Sequence, residues 1–430
     1  MKLLYLTAGA AEMYCGSCLR DNALAAALMA RGHDVVLMPV YTPTTTDERN
    51  VSQARVFFGG ISVYLEQNVP LFRHTPAFLD RLWDSPAVLR MASKRQIKVD
   101  PAFLGEMTVS MLKGVDGYQR KEVEKMVRFL KHESGFDAVS LPFALLIGLA
   151  KPLKAALGCP VVCTLQGEDL FLDQLHEPWK AEARALIRSA VPQVDRFIAI
   201  SEYYAKFMVQ YFGIPADRIS VVPIGINVGG HESRPVRTSP PYTIGYFARI
   251  APEKGLHVLA DAYRRLRHRP DVPETRLVAG GYLLDEHKDY LTGIQRRMHD
   301  WELDEHFTYA GAPDRDGKIA LLHSFDVFSV PSTYADPKGM FLIEAMANGL
   351  PVVEPRHGAF PEIIARTGGG LLVPSEEPEA LADALHTLLR DRQRAATLGN
   401  AGAAGVRAHY TMDHMATAAE RVYTEVMASC

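Results

Sequence analysis

Cysteine is scarce: Cys15, Cys18, Cys159, Cys163 and Cys430 are the five in 430 residues. So few, and an odd number, argue against a disulfide framework and for a reducing compartment, so the expected location is cytoplasmic. Only Cys15-Gly-Ser-Cys18 has the spacing of a redox or metal pair, and no second pair or nearby His cluster completes a zinc site. Long apolar runs are missing too. The longest, 138–150, contains Pro142 and falls short of the ~20 residues that cross a bilayer. No transmembrane helix is therefore expected, while peripheral contact with a membrane stays open. The start, Met1-Lys2 followed by apolar and small residues to Ala11, imitates a secretory signal. Its apolar core is too short for one, and it reads as a buried first strand ending in a glycine loop. Neither charge is in excess. Lys plus Arg total 47 against 50 Asp plus Glu, a net charge of -3, which leaves no global field for drawing in nucleic acid. Any anion must be held by a local site.

What is present is a regular alternation. A chain of 430 residues is too long for one ordinary core, and two lobes with a cleft are expected. Short apolar runs at 3–7, 34–39, 136–141, 160–165 and 196–200 read as buried parallel strands between helical patterns, the signature of a doubly wound α/β sheet. Between Ser17 and Arg31 apolar residues recur at helical spacing, with Gly32 where a terminating glycine belongs. From 51 to 133 the pattern loosens into an insertion rich in aromatics, among them Phe57, Phe58, Tyr64, Phe72, Phe78, Trp83 and Tyr118. It either shapes a pocket or covers its own core. The Pro-, Ser- and charge-rich stretch at 231–241 marks a linker. A second alternation follows, with strands near 242–247, 275–279, 307–310, 326–330 and 351–353. The expected domains are 1–232 and 242–410, joined by a linker at 233–241 and followed by a closing helix at 411–430.

Three strand-to-helix turns carry the chemistry. In the first, the strand at 242–248 runs through Arg249 and Pro252 to Lys254-Gly255. That order places two cations near a helix start, where free N–H groups and the helix dipole already favour an anion such as a diphosphate. Lys254 reads as an exposed loop residue. The second turn holds Asp336 and Gly339, followed by a helix through Glu344 that ends at Gly349 and Pro351. Glu344 lies among Leu342, Ile343, Ala345 and Met346, where an ionised carboxylate needs a partner. Sugar hydroxyls are such partners. The third, His357-Gly358-Ala-Phe-Pro361-Glu362, has the form of another anion-binding turn.

Together these segments resemble family 4 of the retaining glycosyltransferases, and more distantly the glycogen and starch synthases. The resemblance runs over nearly the whole chain. It includes the N-terminal strand and glycine turn, Ile198-Ala-Ile-Ser-Glu-Tyr-Tyr, Val221-Val-Pro-Ile-Gly-Ile-Asn227, the Arg249/Lys254 turn, the motif ending at Glu344, and Gly370-Leu-Leu-Val-Pro374. It implies an α/β GT-B fold, two Rossmann-like doubly wound domains facing a central cleft, with 412–427 crossing back to the first. The implied reaction is metal-independent transfer of a sugar, with retention, from a nucleoside-diphosphate donor to a carbohydrate or small-molecule hydroxyl acceptor. No cofactor is implied. By the resemblance, Arg249 and Lys254 bind the donor diphosphate and Glu344 the ribose. Asp336 and the amides of Gly339, Met340 and Phe341 contact the transferred sugar. Gly16 lies in the N-terminal loop near the diphosphate, and Gln166 and Glu168 are acceptor-side candidates.

The chain also departs from that pattern. Asp336 stands where the family has Glu, Lys338 where it has an aromatic, Gln166 where relatives often carry His, and Cys15-Gly16 where they have paired glycines. Gln can hydrogen-bond a sugar but cannot titrate as a base. Glu168 and Asp169 are the weak candidates for a nucleophile. A nicotinamide oxidoreductase is disfavoured. The first turn reads Gly9-Ala-Ala-Glu-Met-Tyr-Cys-Gly16, not GxGxxG, and the second strand ends in Met38-Pro39-Val40 with no acidic residue for a ribose. A nucleotide-sugar epimerase of similar fold and a non-catalytic sugar-binding protein are the alternatives.

Overall fold

Near-continuous apolar runs make two parallel sheets whose faces are both covered by helices. The computed structural model describes residues 1–9, 16–44, 46, 48–53, 56–58, 66–67, 101–133, 135–233 and 237–429. Met13, Cys15, Tyr64, Phe72, Phe78, Trp83 and Cys430 lie outside these residues.

The first sheet contains β1 (Lys2–Thr7), β2 (Asp34–Pro39), β3 (Ala138–Leu141), β4 (Val161–Leu165), β5 (Arg196–Ala199) and β6 (Ile219–Val221). Their order is β2-β1-β3-β4-β5-β6 and every pairing is parallel. Leu3, Leu4, Tyr5 and Leu6 are all buried, as a strand covered on both faces requires. The edge strand β6 is three half-buried residues, too short and too little apolar to have a periodic signal. From the insertion, Phe57 and Phe58 are buried in this core and Phe57 packs on Phe129, whereas Tyr118 is exposed. Cys18, Cys159 and Cys163 are buried outside any disulfide, and burial pushes the Cys163 thiol up.

The second sheet contains β7 (Tyr242–Phe247), β8 (Thr275–Gly280), β9 (Phe307–Tyr309), β10 (Val327–Phe328), β11 (Val352–Pro355) and β12 (Gly370–Val373). Its order, β12-β11-β10-β7-β8-β9, reverses direction between β7 and β10. In such sheets the loops leaving the two central strands diverge to opposite faces and open a crevice at the carboxyl ends. β7 and β10 lie side by side, Ile244 opposite Val327 and Gly245 opposite Phe328.

The chain divides into two compact units, Met1–Pro223 with Met415–Cys430, and Ile224–His414. Composition places a linker at 233–241, yet contacts group 224–241 with the second unit. Ile226 N–H donates to the Tyr410 carbonyl at 2.8 Å, Arg407 reaches the His231 carbonyl at 2.6 Å, and Arg392 the Arg237 carbonyl at 3.0 Å. Most of the last helix, Met412–Ala428, belongs to the first unit. There the Tyr423 hydroxyl donates to Ser140 Oγ at 3.0 Å, its ring meets Tyr5, and Glu420 pairs with Arg31 and His33. Among the described residues no helix is long and apolar enough to cross a membrane.

Candidate functional site

In the second unit Lys254 and Asp336 lie on the loops that leave β7 and β10, where the order of its sheet reverses. Leaving β7, the chain passes Arg249 into a single 3-10 turn, Pro252–Lys254, and then the helix Leu256–Arg267. Gly255 joins the two at φ 72°. A Cβ there would lie 1.9 Å from the Pro331 carbonyl oxygen, so only glycine lets this turn rest on the segment leaving β10. Thr333 N–H donates to the Glu253 carbonyl at 3.0 Å and ties the two loops. The consequence is that Lys254 turns inward.

Its Nζ donates to Asp336 Oδ2 at 2.5 Å and to the Tyr334 hydroxyl at 3.0 Å. The rings of Tyr334 and Phe341 lie 4.8 and 5.2 Å from the same nitrogen. Lys254 is only 13% exposed, which corrects the expectation of an exposed loop lysine. Arg249 stays outside this network, 41% exposed and ion-paired with Glu253. Asp336 receives two further donors, the amides of Lys338 at 2.8 Å and Gly339 at 3.1 Å, on Oδ1. Burial alone would raise its carboxyl, but the Lys254 charge and the two amides outweigh burial and hold it well below the ordinary range.

Gly339 opens the helix Met340–Ala347. The amides of Met340 and Phe341 fall in its first turn, where no intrahelical acceptor exists. Phe341 packs its ring on Phe360, from the next helix. One turn further on, Glu344 accepts from Lys318 Nζ at 2.9 Å. Lys318, on the helix Arg315–His323, thus supplies the partner that the apolar surroundings of Glu344 demand. Sequence reasoning missed it, because the pair is 26 residues apart and joins two helices. Asn348 Nδ2 donates to the Glu344 carbonyl and meets His231 Nδ1, both at 2.8 Å. Burial pushes His231 down to about 4.

The 357–362 segment is a strand-to-helix turn between β11 and the helix Phe360–Thr367, and it is tied to the loop of Asp336. Ala359 N–H donates to the Asp336 carbonyl at 2.9 Å, and His357 Nε2 lies 2.9 Å from the Ser332 carbonyl. Just before it, Glu354 on β11 is fully buried, with Oε1 accepting Val330 N–H at 3.1 Å. Burial raises this carboxyl well above the usual range. A glutamate in an apolar strand is a signal that the sequence itself carries.

The first unit holds a different set. Gly16 begins the helix Gly16–Ala30, and Gln166 and Glu168 follow β4. Glu168 is 4% exposed. Its Oε1 accepts Ala144 N–H at 3.0 Å, and its Oε2 accepts Gln166 N–H at 2.7 Å. The Tyr204 hydroxyl donates to Asp169 Oδ1 at 2.6 Å and lies 3.1 Å from Glu168 Oε2. Burial raises the Glu168 carboxyl. Gln166 Nε2 donates to the Pro142 carbonyl at 2.7 Å, which leaves its buried Oε1 unpaired. Among the described residues no three His, Cys, Asp or Glu side chains converge as metal ligands would.

Comparison with known proteins gives two family matches. Residues 232–404 match glycosyl transferases group 1, and residues 116–229 match Glycosyltransferase Family 4. A GDP-mannose-dependent alpha-(1-6)-phosphatidylinositol monomannoside mannosyltransferase of Mycobacterium tuberculosis is 28% identical over 249 residues, 54% of this chain and 63% of that protein. The phosphatidyl-myo-inositol mannosyltransferase of Mycobacterium leprae is 33% identical over 54% of this chain and 59% of its own length. The chain thus spans about three-fifths of the length of these curated relatives. In fold it is similar to Anabaena HepE, in complex with UDP, at a TM-score of 0.69 and 18% identity over 99% of this chain and 100% of that one. The sucrose-phosphate synthase of Thermosynechococcus elongatus is similar at a TM-score of 0.70 and 18% identity, over 100% of both chains.

Proposed function

From the premise that this chain belongs to the family 4 glycosyltransferases and has their GT-B fold, we propose that it transfers a sugar from a nucleoside-diphosphate donor to a hydroxyl acceptor, with retention and without a metal ion. The observation that carries the reading is Lys254: an ammonium drawn inward, at the switch point of the second sheet, beside the first turn of the helix Met340–Ala347. Breaking the sugar–phosphate bond develops negative charge on the diphosphate, and a preorganised cation there supplies a large share of the catalysis. Lys254 holds the diphosphate, with Arg249 reaching it from the exposed side. Glu344 accepts the ribose hydroxyls, and the Met340 and Phe341 amides face the donor. The acceptor O–H attacks the anomeric carbon on the leaving-group side. As the C–O bond to the diphosphate breaks, a departing phosphate oxygen takes the acceptor proton. In the first unit the unpaired carbonyl of Gln166 offers an acceptor hydroxyl its partner, with Glu168 bracing the Gln166 backbone.

The GDP-mannose in one relative's name, and the UDP-glucose held by HepE in a further complex, make these the first donors to try, with inositol-type or sugar hydroxyls the first acceptors. Transfer or donor hydrolysis is expected to persist in EDTA and to give a product of the donor's own anomeric configuration by NMR. Activity lost on chelation and restored by manganese, or an inverted product, would reject the mechanism. Release of an isomerised nucleotide sugar without acceptor would point instead to an epimerase.

A further inference from the structure

The opening carboxylate of the 331–351 motif is one place where this chain departs from its family pattern, and its surroundings give it a task. Asp336 is saturated from within. Oδ1 accepts the Lys338 and Gly339 amides, and Oδ2 accepts the Lys254 ammonium and the Tyr334 hydroxyl. A carboxylate offers about four lone-pair sites, and these donors fill them. The side chain is 3% exposed. Its backbone is fixed as firmly. Besides the hydrogen bond from Ala359, Gly358 approaches so closely at φ +60° that a Cβ there would lie 2.4 Å from the Asp336 carbonyl oxygen and 2.7 Å from its nitrogen. The shorter side chain suits this arrangement, because Asp bonds the amides two and three residues on in its own loop, whereas a Glu would carry its carboxylate one methylene past them.

We infer that Asp336 is a positioning residue, which fixes the Lys254 ammonium and the Lys338–Gly339 loop against the diphosphate while its carboxylate makes no contact with the transferred sugar. The inference rests on the donor-site reading above and deepens it. Sugar recognition then falls to other groups, and the Glu-to-Asp departure marks a change of task rather than of sugar.

The test separates the sugar from the diphosphate. Binding of GDP and GDP-mannose, and of UDP and UDP-glucose, is measured by calorimetry, and the pair that the wild-type protein binds is carried on. In Asp336→Asn the two affinities of that pair should move together, their ratio staying within about 2-fold, while turnover falls by about 10-fold or more. Adding Asp336→Asn to Lys254→Met should then cost less than about 3-fold more than Lys254→Met alone, because Asp336 acts through the ammonium already removed. Tyr334→Phe, which removes only the hydroxyl bridging the pair, should lower turnover several-fold at an unchanged ratio, and it serves if Asp336→Asn fails to fold. A ratio that collapses about 10-fold in either variant would make Asp336 a sugar contact. Unchanged turnover, or fully additive losses with Lys254→Met, would equally overturn the inference and leave the donor site standing. A wild-type protein that binds neither pair would remove the donor reading itself.

Discussion

The carboxylates at the ends of the two sheets are held in opposite ways. In the second unit Asp336 and Glu344 each face a lysine, Lys254 and Lys318. In the first unit Glu168 is as deeply buried but faces amides and a phenol, with no ion pair among the described residues. The Asp336 carboxyl is accordingly held low and the Glu168 carboxyl is pushed up. A buried carboxylate beside a lysine fixes where that ammonium points. Polar groups held without a cation favour a neutral hydroxyl instead. The difference teaches that, of the carboxylates compared, those of the second unit are tied to lysines and that of the first to neutral donors.

The largest effect belongs to Lys254→Ala. Turnover should fall by on the order of 10² or more through lost stabilisation of the leaving group. Unlike an exposed loop lysine, Lys254 leaves a buried carboxylate behind, so the variant should also lose about 3–5 kcal/mol at neutral pH. The pH dependence has a definite sign. A lowered Asp336 contributes stability that is present above the ordinary Asp value of ~3.9 and is lost as pH falls through the folded value. Lys254→Ala should therefore lose less stability on acidification than the wild type, as urea melts from pH 7 to pH 3 would measure. Equal stability at neutral pH would break the contrast.

A smaller effect is expected at Glu344. Glu344→Gln should weaken GDP or UDP binding by about 10-fold, as for a lost hydrogen bond to a charged group. The same substitution should leave the 2′-deoxy nucleotide nearly unaffected, so that the wild-type preference for ribose disappears. Calorimetry with both nucleotides checks this, and a preference that survives would move the ribose elsewhere.

How much of this could be read in advance follows physical scale. Strands such as 34–39 and 242–247, and the turn residues Lys254, Gly255 and Gly339, show in local pattern, because burial on both faces and tight turns restrict residue choice where they occur. Partnerships across distance do not. Nothing around Lys318 announces Glu344, and nothing local shows that Lys254 turns inward to Asp336 while Arg249 stays out. Residues 357–362 have the form of one more anion-binding turn, and only the packing of Gly358 on Asp336 reveals a brace. The unit boundary at Pro223 was equally hidden, since the Pro-rich stretch that imitates a linker is tied down by Arg392 and Arg407 from far along the chain.

The smallest effect tests the second unit's own counterpart of Glu168. Glu354 is fully buried on β11 and joins no ion pair among the described residues; Val330 N–H bonds one oxygen and the other has no partner. Burial raises it first, the nearby Asp336 charge adds to the rise, and Lys254 only partly opposes both. The folded protein therefore keeps a proton that the unfolded chain releases above the ordinary Glu value of ~4.3. The stability tied to that proton is complete below ~4.3 and drains away as pH rises towards the folded value. Glu354→Gln keeps the shape and the acceptor for Val330 but does not titrate. Its melting temperature relative to the wild type should climb between pH 4 and pH 8, by roughly a few degrees for a domain of this size. Because Asp336 and the other carboxyls titrate in both proteins, the difference between the two curves isolates Glu354. A difference that stays flat across that range would show an ionised Glu354, and buried carboxylates without a lysine would then no longer form a class apart from Asp336.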